Sequence, residues 1–394
     1  MTPRDVLHWP TVGLAFTSMF VLMGSRTSFA VIYPAMVHDQ GWAVTDVTSA
    51  YSAGLLLYAV LAILIGVGVD RLGCRTMMLV GSILVTVGTV IVGLATEVWH
   101  LYVGYILVVG LGTGGIGFIT LIKLLSQRTG ARFATAFGLA FMGQGLGSLL
   151  VSPAVQLIIE GYGWRVASLV FAAVVGLVLL PLSAWIAPGP EGQRAASAVG
   201  GRPDTAPGVW SLACMVFLLA NASLGFQMLV PTHQVAYLLD LAFAPTLAAS
   251  AAGGWGAMMS VGSVCGGWLV DRLGLIRMLT FALALITAGT VALVFSGPAT
   301  GWLLALYVLA GGVGRGLLGV SLGTAQTQLF AGPRLGRMTG ILDLGFGTGA
   351  FVGPWGAALL HDQIGTFAPS FLATIVASVV GAVGTVVALR LGRR

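Results

Sequence analysis

The chain has 394 residues, of which 57% are hydrophobic and only 8% charged, and its net charge is +6. Soluble domains carry roughly a quarter of their residues as charges, so this composition excludes an ordinary water-soluble protein and indicates an integral membrane protein. The basic excess falls in loops on one side of a membrane, which makes nucleic acid an unexpected partner. Cys74, Cys214 and Cys265 show no CxxC spacing and no histidine cluster, so neither a metal site, a disulfide framework nor a cofactor is expected.

A spanning helix needs about 20 apolar residues, and runs of that kind recur along the chain. The polar stretch Met1 to Pro10 lacks a small-residue cleavage site and reads as a cytoplasmic stub, not a signal peptide. The first segment, 11–36, carries Arg26, Ser28 and Tyr33. The second, 48–69, ends on GVGVDRLGCR, Gly66 to Arg75. Segments 76–96 and 100–125 follow, with Lys123 near the inner end of the latter, where snorkelling would explain it. Segment 134–159 holds Gln144 within the glycine-rich GQGLGSLLVSP, and GYGWR (Gly161 to Arg165) opens segment 165–187.

A long polar interval, Pro188 to Pro207, is rich in Pro, Gly and Ser and reads as a surface linker. It divides the chain into 1–187, a linker 188–208, and 209–394. Segment 209–238 carries Asn221, Gln227 and His233. Segment 246–270 runs into GGWLVDRLGLIR, Gly266 to Arg277. The remaining segments are 277–296, 301–328 with Arg315, 338–360 with Asp343, and 367–389. The fold expected is all-α and integral to the membrane, with twelve transmembrane helices in two pseudo-symmetric six-helix bundles.

With the N-terminus inside, all of the 18 Lys and Arg residues except Arg26, Arg315 and Arg165 fall on the cytoplasmic side. That bias predicts a multi-pass protein of the cytoplasmic (inner) membrane with both termini inside. The VDRLG core shared by the two loops recurs about 200 residues apart, at the same place in each half, as in transporters built from duplicated repeats.

On these residues the chain resembles the major facilitator superfamily, over nearly its whole length. The pattern Gly-x3-Asp-Arg-x-Gly-x-Arg is matched by Gly66, Asp70, Arg71, Gly73 and Arg75, and more loosely by Gly267, Asp271, Arg272, Gly274 and Arg277. The resemblance implies that these loops clamp helix ends and bias a conformational switch. It also implies that the first, fourth, seventh and tenth helices line a central cavity. GYGWR looks like bacterial monocarboxylate and oxalate–formate carriers, and SRTSFAVIYP (Ser25 to Pro34) is similar to organic-anion and organophosphate carriers. The eighth segment has no Asp-Arg pair of the kind that animal monocarboxylate carriers use.

Arg26 and Arg315 stand apart because each lies deep in an apolar segment, where a cation is costly unless it faces a polar interior. Guanidinium binds carboxylate or phosphate through two parallel hydrogen bonds. Both arginines are therefore expected to bind substrate, with Tyr33, Asn221, Gln227 and Gln144 shaping the site. Asp343 and His233 are candidates for proton coupling, and pairing of Asp343 with Arg71 or Arg75 is the plainer reading of that acid.

The expected function is secondary active transport of small organic anions, mono- or dicarboxylates, by alternating access with proton symport or anion exchange. The expected partners are the anion, the lipid bilayer and a proton or counter-anion, and the protein is expected to act as a monomer. A proton-coupled drug exporter would need an acid at the bilayer midplane, and none is present there. A non-transporting ligand sensor is the other alternative, and no nucleophile–base pair or phosphate loop suggests an enzyme.

Overall fold

Lipid offers no water to backbone N–H and C=O groups, so an apolar chain satisfies them inside helices. The computed structural model describes residues 8–42, 44–185, 211–330 and 332–392, and every regular element among them is helical. The linker 188–208 and Arg4, Arg194, Arg202, Arg393 and Arg394 lie outside the described residues.

The first half begins with α1 (Trp9–Gln40), α2 (Val44–Leu72) and α3 (Cys74–Gly93). Its fourth span is composite. It comprises α4 (Val98–Tyr105), a π-helical turn at Ile106–Gly112, α5 (Thr113–Ile116) and α6 (Phe118–Thr129). Next comes α7 (Phe133–Trp185), 53 residues long and interrupted at Gly163, whose φ of 82° lies outside the helical region. The interruption makes α7 two spans in sequence.

The second half repeats the plan. Its first span is broken into α8 (Leu212–Phe226) and α9 (Leu229–Asp240). Then follow α10 (Pro245–Leu273) and α11 (Leu275–Val294). The composite span here is α12 (Gly301–Leu306), a π-helical turn at Tyr307–Gly311, and α13 (Gly312–Phe330). Finally come α14 (Leu335–Ile364) and α15 (Ala368–Leu391).

Among the described residues, 8 helical stretches are long and apolar enough to cross a membrane, or 9 counting the bent pair Ser49–Leu55 and Val60–Leu72 within α2. The expected segments map onto these elements. The counts differ because α7 contains two segments, and because α10 and α14, at 29 and 30 residues, are diluted by glycine and polar residues.

The VDRLG glycines have a backbone reason. Gly73, between α2 and α3, has φ 84° and Gly274, between α10 and α11, has φ 89°. Both turns need the left-handed region that only glycine enters without strain. The glycines inside helices serve packing instead. A Cβ on Gly147 would collide with the Phe20 carbonyl of α1, and one on Gly349 with the Ala222 carbonyl of α8. These equivalent contacts let backbones touch, as small residues do between helices in lipid.

The chain forms two compact units. One gathers the described parts of Met1–Gly130 and Gly143–Val199 together with Pro333–Gly340. The other gathers those of Ala131–Met142, Gly200–Gly332 and Ile341–Arg394. Large apolar side chains face outward, among them Leu157, Leu177, Leu219 and Phe351, each more than two-thirds exposed. Such a surface suits hydrocarbon, not water.

Candidate transport site

In the second unit, two irregular stretches of backbone and the start of a helix lie around one cation. The first is the break between α8 and α9 at Gln227 and Met228. Pro231 has no N–H for the Gln227 carbonyl four residues back, and that carbonyl is taken instead by the Val230 N–H at 3.2 Å. The second is the π-helical turn at Tyr307–Gly311; such turns collect at functional positions. The third is the start of α13, one turn on, which carries Arg315.

The Arg315 guanidinium has weak company. Its Nη2 lies 3.9 Å from the Met228 sulfur, and its Cζ is 5.7 Å from the centre of the Phe346 ring. Its Nη1 is buried without a hydrogen-bond partner. Among the described residues, no carboxylate forms an ion pair with it. Gln227 is 4% exposed, and its Nε2 is likewise buried and unpartnered. Both residues line one cavity with Trp255, Thr290 and Tyr307. The Tyr307 hydroxyl is spent on the Gln234 Oε1 at 2.5 Å.

The first unit has its own cavity in the equivalent place, lined by Ser25, Ser28, Phe29, Thr89, Tyr105 and others. Its hydroxyls are self-satisfied: Ser25 donates to the Leu22 carbonyl at 2.8 Å, Ser28 to Gly24 at 2.6 Å and Thr89 to Val85 at 2.7 Å. Arg26 lies beside this cavity on α1, with its Nε buried and unpartnered. Next to it Phe29 stacks on Tyr51 at 4.1 Å and on Tyr33 at 5.5 Å. Each unit thus has one arginine deep in an apolar helix with a buried, unpartnered guanidinium nitrogen.

The remaining polar candidates divide by how far they are already occupied. Gln144 Nε2 meets the Met19 sulfur at 3.2 Å. Asn221 is buried and donates to the Phe217 carbonyl of its own helix at 2.8 Å. His233 Nε2 lies 3.0 Å from the Pro354 carbonyl, and its ring stacks on Phe367 at 4.6 Å. Asp343 is half-buried on α14. Tyr307 and Trp255 were not singled out from sequence, although Tyr105 and Tyr307 hold the same repeat position.

The Asp-Arg loops act as helix caps. Asp70 accepts from the Gly336 and Arg337 N–H groups at 2.9 and 2.7 Å, at the first turn of α14. Asp271 accepts from the Thr135 N–H at 2.9 Å and from its hydroxyl, at the first turn of α7. A carboxylate there satisfies orphan donors and opposes the positive end of the helix dipole. Gly66 lets α2 reach α14, since a Cβ would strike the Gly336 carbonyl. Arg75 donates to the Ala184 carbonyl at 2.8 Å, Arg272 covers the Trp268 ring at 4.2 Å, and Arg71 is exposed.

Lys123 corrects an expectation. It does not snorkel. It is 5% exposed, forms an ion pair with Asp70 at 2.5 Å and donates to the Pro333 carbonyl at 3.3 Å. The depth of its partner, and not the nearness of a membrane surface, holds it. GYGWR is also a brace: Trp164 donates to Asp39 at 3.0 Å and Arg165 to the Ala95 carbonyl at 2.6 Å.

Duplicated helical units with capped loops and a half-buried arginine inside an apolar span of each fit a multi-pass membrane transporter. The chain belongs to the Major Facilitator Superfamily, whose sequence model matches residues 15–325 and 215–394. It is 30% identical to Monocarboxylate transporter 11 of Homo sapiens over 398 residues, covering 92% of this chain and 79% of that one. It is 26% identical to Monocarboxylate transporter 13 of Rattus norvegicus, covering 92% and 85%. Its fold is similar to that of the E. coli fucose:proton symporter FucP (TM-score 0.74, 13% identity, 96% of this chain and 98% of that one). It is also similar to the human organic anion transporter MFSD10 (TM-score 0.76, 14% identity, 98% and 100%).

Proposed function

We propose that this protein carries small organic anions, mono- or dicarboxylates, across the cytoplasmic membrane by alternating access. The observation that supports this most is the Arg315 guanidinium, whose Nη1 is buried near the orphaned amide of Gln227 and which has no acid paired to it among the described residues. A permanent cation in a low-dielectric site is costly alone, and an arriving carboxylate removes that cost through charge-assisted hydrogen bonds. Arg26 offers a second guanidinium of the same kind. The names of the monocarboxylate transporters to which the chain is related agree with this chemistry.

Either proton symport or anion exchange balances the charge. In the first, Asp343 or His233 carries the proton; the second needs no protein carboxylate. The protein acts as a monomer in the inner membrane with both termini in the cytoplasm, divided at the linker 188–208 into halves 1–187 and 209–394. Loops at Asp70 and Asp271 release and recapture helix ends as access alternates.

The test is a thermal-shift screen of purified protein against carboxylates, phosphates and cationic drugs, because binding to the folded state raises its apparent stability. The proposal expects stabilisation by one carboxylate class, lost in Arg26→Ala and Arg315→Ala. Stabilisation by cationic drugs alone would replace it with an exporter.

A further inference from the structure

The cavity beside Arg315 is lined by donors, two of which have no partner among the described residues. Arg315 Nη1 and Gln227 Nε2 are both buried and unpartnered. The Trp255 indole is a third donor on the same wall, with its nitrogen close against Gly311. Two of the hydroxyls present are already used. Tyr307 gives its proton to Gln234 and Thr374 gives its own to the Phe371 carbonyl, and a neutral oxygen leaves the charge of Arg315 uncompensated.

Ile286, Val230 and the Trp255 and Tyr307 rings leave an unfilled space beside these donors. Water fits but carries no charge, and a buried unpaired charge is what the site must relieve. The equivalent cavity of the first unit is a control. Its serine and threonine hydroxyls are bonded to their own helices, and none of its lining residues is among the buried side chains left without a partner.

We propose that, when no organic anion is bound, this cavity in the second unit holds a monatomic anion, chloride in a cell, between the Arg315 guanidinium, the Gln227 amide and the Trp255 indole. Chloride neutralises the guanidinium and accepts from all three donors without needing a fixed geometry. An organic anion that engages Arg315 must then displace it, so chloride competes with substrate. The site rests on the cavity alone and stands whether or not the transported species is a carboxylate.

The experiment measures the unfolding temperature of the purified, full-length protein while sodium gluconate is replaced by sodium chloride at constant ionic strength. A saturable rise with chloride, reproduced by bromide, is expected. It should vanish in Arg315→Gln and persist in Arg26→Gln. Gln227→Leu and Trp255→Phe each remove one neutral donor and keep the charge. Each should raise the chloride concentration giving half the effect about tenfold, which serves as the reading if Arg315→Gln does not fold. Equal unfolding temperatures in chloride and gluconate throughout would overturn the proposal. So would a chloride effect that Gln227→Leu and Trp255→Phe leave unchanged. Organic acids are titrated separately in gluconate, so that the failure of chloride binding and of organic-anion binding are read independently.

Discussion

A guanidinium does not shed its proton to enter lipid, so each buried arginine states a requirement that something else must meet. In this protein the requirement is visible at Arg315, whose contacts are a thioether and an aromatic ring. If its role were only to carry charge, Lys would serve as well. The proposed site uses its planar fork, and Arg315→Lys is expected to weaken organic-anion binding roughly tenfold, measured by isothermal titration, while the protein still folds. The two arginines were legible in the sequence because charge in an apolar run has no bland explanation. The cavity around Arg315 was not, because Trp255 and Tyr307 in apolar helices look like any other core aromatic, and only the fold shows which ones border an unfilled space.

Helix ends and helix contacts carry the next level of the account. Asp70 holds the first turn of α14 and also neutralises Lys123, which is buried at 5% exposure. Asp70→Asn would leave that ammonium buried without its acid, at a cost of about 3 kcal/mol in thermal or denaturant unfolding. Asp70→Asn combined with Lys123→Met should recover much of the loss. Asp271 is exposed and has no such lysine, so Asp271→Asn should cost only about 1 kcal/mol, the usual worth of a cap. The packing glycines separate just as clearly. Gly349→Ala should cut the yield of folded protein on size exclusion, because its Cβ would meet backbone, whereas Gly256→Ala has open space and should be tolerated. Helices, duplicated loops and glycine motifs were readable because hydropathy and glycine spacing report them directly. The π-helical turns at Ile106–Gly112 and Tyr307–Gly311 were not, since no residue type forces a π turn. Lys123 was misjudged because its partner lies 53 residues away in sequence.

At the scale of the whole molecule, each of two repeats has a loop that caps a helix and one arginine deep in an apolar helix with a buried, unpartnered nitrogen, but the arginines stand on different helices. Arg26 is on the first span of its repeat, and Arg315 on the fourth span of the other. Packing alone gives no reason for an arginine inside an apolar helix of each repeat, and the proposed anion transport gives one. The most direct measurement is uptake of radiolabelled carboxylates into proteoliposomes preloaded with the same compound. Wild-type protein is expected to accumulate one carboxylate class, and Arg26→Ala and Arg315→Ala, inserted and folded to the same extent, to lose that uptake. Undiminished carboxylate uptake by both alanine variants would contradict the account.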